Sequence, residues 1–150
     1  MALENLTLYT ENDSAGRITV TSTKVDVAGI YRDETGYVYY DKGVCHFDDL
    51  NIYFEMFQNS SYDVSGYGGM SITNTLGLIK GFATTDIAVT FAKTSDPYAR
   101  IRLVRGNFAD NQDYNGALDT LYYCTLSRTA GNDTVTLYIY TDSTRTTLVS

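Results

Sequence analysis

Residues 121–142 read LYYCTLSRTAGNDTVTLYIYTD, two stretches of period-two alternation on either side of a five-residue polar turn. In the second stretch Val135, Leu137 and Ile139 fall on one face, and Thr134, Thr136, Tyr138 and Tyr140 on the other. That is the signature of a strand with one buried and one solvated side. The first stretch repeats it, with Tyr122, Cys124 and Leu126 set against Tyr123, Thr125 and Ser127. Thr-Ala-Gly-Asn-Asp between them supplies residues that tolerate positive φ. A hairpin of this type belongs to an antiparallel sheet that buries one face on a second layer.

The rest of the chain agrees with that class. Fourteen Tyr and six Phe accompany a single Pro and no Trp, and aromatic and β-branched side chains suit a pleated, half-buried surface. At 150 residues, with no linker-like stretch, residues 1–150 are expected to form one domain with a sizeable core.

Charge narrows the partners. The formal net charge is −7, and residues 1–63 carry eleven Asp/Glu against four Lys/Arg, whereas residues 64–150 carry seven of each. A nucleic-acid binder needs a basic stripe and a positive balance, so DNA and RNA are not expected partners. Residues 2–7, ALENLT, lack the basic start and apolar run of a secretory signal, and no stretch approaches a membrane span. Cys45 and Cys124 are read as free, mostly buried thiols. The Asn-x-Ser/Thr sequons at Asn5, Asn59 and Asn132 are chance products of a chain rich in Asn and Thr.

Along the chain, strands are expected at 4–10, 17–21, 24–28, 37–40, 51–58, 70–73, 87–92 and 98–104, before the terminal hairpin. Residues 11–16, 65–69 and 110–116 read as turns or loops. In the 51–58 segment Ile52, Phe54 and Met56 make an apolar face, while Tyr53 and Phe57 flank Glu55 on the other. One core is expected from Ile52, Phe54, Met56, Val89, Phe91, Ile101, Leu103, Val135, Leu137 and Ile139.

The succession YVYYDKG, HFDDLNIYFE, ARIRL, LYYCTLSR and TVTLYIYTD resembles the concanavalin A-like, laminin G-like jelly-roll modules, most closely those of phage and other prokaryotic surface proteins. The resemblance spans about residues 17–149 and its motifs are structural. It implies an antiparallel β-sandwich of jelly-roll type, set in a virion or at an extracellular surface. Such modules usually add a strand that returns beside the N-terminal one, and its lack here implies either a shortened chain or an edge completed by another chain. Homo-oligomers or other assembly proteins are thus the expected partners. A glycan is the alternative.

Catalysis is tested against the same residues. Glucan-cleaving relatives of this fold place two carboxylates on one face at close alternating positions. Glu55 has none at 53 or 57, and Asp48 and Asp49 are adjacent, so they point apart. His46, the one histidine, follows Cys45 directly, which suits neither a nucleophile and base nor a zinc site. No enzyme activity is expected. A hard-cation candidate remains in the presumed loop, where Asp110, Asp113, Asn115 and Asp119 offer oxygen ligands of the kind calcium takes. Laminin G-like modules often hold calcium at their rim, which raises that candidate, although folding is expected to need no cofactor. The other candidate is a binding platform. Arg100 and Arg102 alternate outward from Ala99, Ile101 and Leu103, as Tyr123, Tyr138 and Tyr140 do on the hairpin, and together they would form one Tyr/Arg surface if the strands shared a sheet.

Overall fold

The computed structural model describes residues 4–28, 36–43, 49–59, 68–74, 83–93, 98–106, 110–131 and 134–150. They form an all-β structure in which every pairing is antiparallel. The strands are β1 (Thr10–Asp13), β2 (Ile18–Val20), β3 (Val25–Val27), β4 (Gly36–Tyr39), β5 (Leu50–Phe57), β6 (Gly68–Ile72), β7 (Ile87–Lys93), β8 (Tyr98–Arg105), β9 (Asp110–Ala117), β10 (Leu121–Arg128) and β11 (Thr136–Tyr140).

Two of the sheets share the main core. One has the order β11-β10-β5 and the other β6-β7-β8-β9. Leu50, Met56, Tyr122, Cys124, Leu126 and Ile139 from the first bury against Val89, Phe91, Ala99 and Ile101 from the second. This is a sandwich-like arrangement of two layers. All ten residues expected in the core are there, with Ile52, Phe54, Leu103, Val135 and Leu137 packed at its margin and half-buried. The hairpin also forms as its alternation requires: Cys124 faces Ile139 and Leu126 faces Leu137 inward, while Tyr123 opposes Tyr140 and Thr125 opposes Tyr138 outward. Gly131 takes φ 75° in the turn, and the Ala130 N–H donates to the Asp49 carboxylate, which ties the turn to the strand entering the sheet from β5.

Alternation fails at the middle of the larger sheet. Ala88, Thr90 and Val104 are as buried as Val89 and Ile101, although they lie on the opposite face. At these positions the outward face of the interior strands β7 and β8 is therefore shielded from solvent as well as the inward one.

Four expectations need correcting. Residues 4–10 are not a strand: Leu6–Leu8 forms a 3-10 turn capped by Asn5, whose side chain accepts the Thr7 N–H. Asn competes for backbone partners in this way and stops an extended chain. Strand β1 instead begins at Thr10 and takes in Glu11–Asp13 of the presumed turn, pairing with β4 so that Asn12 lies opposite Tyr37. Gly68 and Gly69 open β6 rather than closing a loop, and residues 65–67 lie outside the described set. Residues 110–116 are no loop either. They lie in β9, an edge strand that is polar outward at Asn111, Asp113 and Asn115 and also at Gln112 on the Tyr114 side, and whose backbone pairs with β8 along its whole length.

The C-terminal residues also return along the sheet. Beyond a turn at 142–145, Leu148 bridges to Tyr140, the Ile139 N–H donates to the Ser150 carbonyl at 2.7 Å, and the Val149 N–H donates to the Ile139 carbonyl at 2.8 Å. Part of the outer edge of β11 is thus paired by this chain itself, a position the N-terminal segment does not take.

Candidate functional site

The outward face of the three-stranded sheet is assembled by register. Phe57 stands opposite Leu121; Glu55, Tyr123 and Tyr140 form the next row; Tyr53, Thr125 and Tyr138 form the third; Asn51, Ser127 and Thr136 complete it. Four of these side chains are large, apolar or aromatic, and open to solvent: Phe57 at 53%, Tyr138 at 38%, Leu121 at 37% and Tyr53 at 36%. Thr125, in the middle of the tyrosine row, is buried beneath its neighbours at 8%. A cluster of this kind on one face, rather than scattered singly, is the usual mark of a contact surface.

A turn then sets a cation on top of it. The Asp142 carboxylate accepts the Thr144 hydroxyl, the Thr147 N–H at 2.6 Å and the Thr146 N–H at 3.2 Å. These bonds hold its pKa well below the usual carboxylate range, the Thr144 hydroxyl contributing most and the Thr147 N–H next. Within the closed turn Arg145 adopts φ 57°, an uncommon conformation for a non-glycine residue. Its guanidinium carbon sits 4.9 Å from the Tyr53 ring centroid and 5.8 Å from that of Tyr123, both within cation–π range. Among the described residues no carboxylate lies within ion-pair distance of Arg145, and its Nε is buried with no hydrogen-bond partner.

The sequence-based candidates divide. Tyr123, Tyr138 and Tyr140 do come together on this face. Arg100 and Arg102 do not join them, because β8 belongs to the other sheet; the single Tyr/Arg surface is therefore corrected to two separate faces. Both arginines are committed to Asp113 across the β8–β9 pair. Arg102 donates through Nε at 2.5 Å and Nη2 at 2.8 Å, and Arg100 Nε approaches at 3.5 Å.

Asp113, one of the calcium candidates, is thus already held by two guanidinium groups. The Asp113 carboxyl is drawn below its ordinary pKa chiefly by the Arg102 hydrogen bonds. Asp113 and Asn115 share one parity of β9, and Asp119 stands beyond the strand at φ 55°. Residues spread along an extended strand do not converge on one ion, and among the described residues no group of three or more His, Cys, Asp or Glu is placed to hold a metal. Cys45, His46 and Asp48 lie outside the described residues. Cys124 is a free thiol, fully buried, and burial pushes its pKa up to about 12, with Arg145 opposing that shift weakly.

Sequence reasoning missed Arg145. The signal was present in DSTRTT at 142–147, since an Asp followed by Thr at two, four and five positions is a strong turn former. What the turn would aim Arg145 at was not readable. Elsewhere, a cavity of about 260 Å³ opens between the sheets beside Leu103, Tyr114 and Leu137, short of the usual size of a ligand pocket. No protein-family model, curated protein or solved structure matches the chain.

Proposed function

We propose that this chain is a non-enzymatic structural or adhesion component of a phage particle or prokaryotic surface assembly, a concanavalin A-like jelly roll that works through protein contacts made by its tyrosine face. The observation that carries the reading is the exposed set Tyr53, Phe57, Leu121 and Tyr138 beside a ring-stacked Arg145. Tyr, Phe and Arg are the residues enriched at the centres of protein interfaces. The jelly-roll topology and the virion or surface setting rest on the sequence resemblance. A non-catalytic role is supported by the surroundings of Glu55, whose cross-strand neighbours are Tyr123 and then Tyr140. Retaining glycoside hydrolysis needs a second carboxyl about 5–5.5 Å away.

A glycan-binding role is the second reading, favoured by the polar rim: Asn51 Nδ2 donates to the Tyr53 hydroxyl at 2.9 Å, and aromatic rings edged by amide and carboxylate groups suit a sugar. A glycan panel together with native mass separates the two. The protein-contact reading expects no saturable glycan binding and an association that Tyr53→Ala and Tyr138→Ala weaken. A monomer that binds a defined glycan, and loses it in those variants, reverses the ranking.

A further inference from the structure

The tyrosine face carries one carboxylate and one guanidinium that no described residue pairs with an opposite charge, the guanidinium's Nη1 donating only a long 3.4 Å hydrogen bond to the Ser143 carbonyl. Glu55 stands in the row of Tyr123 and Tyr140, and Arg145 lies over Tyr53 and Tyr123. Neither takes part in an ion pair with another described residue. The Asp142-locked turn holds the guanidinium over the tyrosine rings. A two-fold contact brings one patch against itself, so a residue at one position meets its counterpart's other position twice. A face with one anion and one cation set among exposed aromatic and apolar side chains is complementary to its own copy in this sense.

We propose that the occupant of this face is a second copy of the chain, docked two-fold, with Glu55 of each copy paired to Arg145 of the other. This rests on the protein-contact reading above and names its partner. The contact is weak by construction: three strands about 4.8 Å apart and some eight residues at about 3.4 Å each give a footprint of roughly 400 Å² per copy. A stable interface typically needs about 800 Å² per partner. It therefore acts where many copies are held side by side, and the high local concentration makes up for the small area.

Charge reversal tests this in the full-length chain by sedimentation over about 10 µM to 1 mM. Glu55→Arg alone and Arg145→Glu alone should each lower the association constant about tenfold or more, because each creates two like-charge contacts. An equimolar mixture of the two single variants should recover association, since every pair across the interface is then of opposite sign. Thermal melts of each variant at low concentration show that the monomers are folded. If Glu55 and Arg145 instead pair within one chain, the mixture stays dissociated and only the double variant recovers, which overturns the proposal. So does a wild-type chain that stays monomeric at every concentration. Association that survives both single reversals overturns it too, while leaving the protein-contact reading standing; that reading is tested apart, by Tyr53→Ala and Tyr138→Ala and by glycan binding of the monomer.

Discussion

Tyr122 of β10 reaches across the core and presses its ring against Gly116 of β9, so that a Cβ added at Gly116 would lie 2.5 Å from the Tyr122 hydroxyl oxygen. The same oxygen accepts the Ala117 N–H at 2.6 Å. One side chain thus fastens the small sheet to the edge of the large one, and glycine is the residue that lets it approach. Gly116→Ala should cost about 1–3 kcal/mol through overpacking, and Tyr122→Phe about 0.5–1.5 kcal/mol through the lost hydrogen bond. Ring atoms Cζ and Cε2 of Tyr122 would also lie 2.6 and 2.9 Å from that Cβ, so removing the hydroxyl relieves only part of the clash, and the two should be partly non-additive, with Gly116→Ala costing somewhat less in the Tyr122→Phe background. Urea melts of the four chains measure this. Strict additivity would show that the contact is not tight in solution.

Burial within the hairpin sets the next expectation. Leu126 is fully buried, so Leu126→Ala should cost about 3–5 kcal/mol. Leu137 is half-buried beside the cavity between the sheets, so Leu137→Ala should fall near the low end, about 2 kcal/mol. Thr136→Ala, on the outward face, should stay within about 0.5 kcal/mol. Equal losses for Leu137 and Thr136 in denaturant melts would contradict the register.

Asp113 gives a pH signature. Its folded pKa is depressed by Arg102 and Arg100, so it contributes stability that is present above the unfolded carboxylate value of about 3.9 and is lost as pH falls through the lower folded value. The carboxylate is about one-third exposed, which limits the effect to about 1 kcal/mol or less. Asp113→Asn should therefore be less stable than wild type near neutrality, and the gap should close as the solution is acidified below the folded value. A gap independent of pH would mean that the charge is not what matters. Because guanidinium groups already hold the Asp113 oxygens, added calcium should leave the melting temperature unchanged; a rise abolished by Asp113→Asn would restore the cation site.

Cys124 should behave as a chemically silent thiol. Buried, and with its pKa pushed up to about 12, it offers almost no thiolate to a disulfide reagent. In a Cys45→Ser background, labelling should follow the unfolding equilibrium and accelerate with urea. The raised value also has a sign: below the unfolded thiol value of about 8.5 its contribution to stability is complete, and it is lost as pH rises towards the folded value. Rapid labelling in native buffer would show that the core opens locally.

Much of the fold was legible because side-chain parity is a local property. Val135, Leu137 and Ile139 on one face and Tyr138 and Tyr140 on the other follow from a two-residue repeat whatever surrounds them. The ten-residue core followed from the same repeat in β5, β7 and β8. Strand β9 was not legible, because an edge strand bearing Asn111, Asp113 and Asn115 outward has no apolar alternation to read; it is a strand because β8 pairs with it.

By itself, then, the amino-acid sequence determined an antiparallel β-protein, the faces of its strongest strands and the residues of its core, since burial and backbone pleat act over neighbouring residues. Only the tertiary structure decided which strands adjoin. It parted Arg100 and Arg102 from the tyrosines, spent both on Asp113, and brought Arg145 over Tyr53 from far along the chain. Strand order and the aim of a turn depend on how two sheets bury each other, and a periodicity confined to a single strand holds no record of its neighbour.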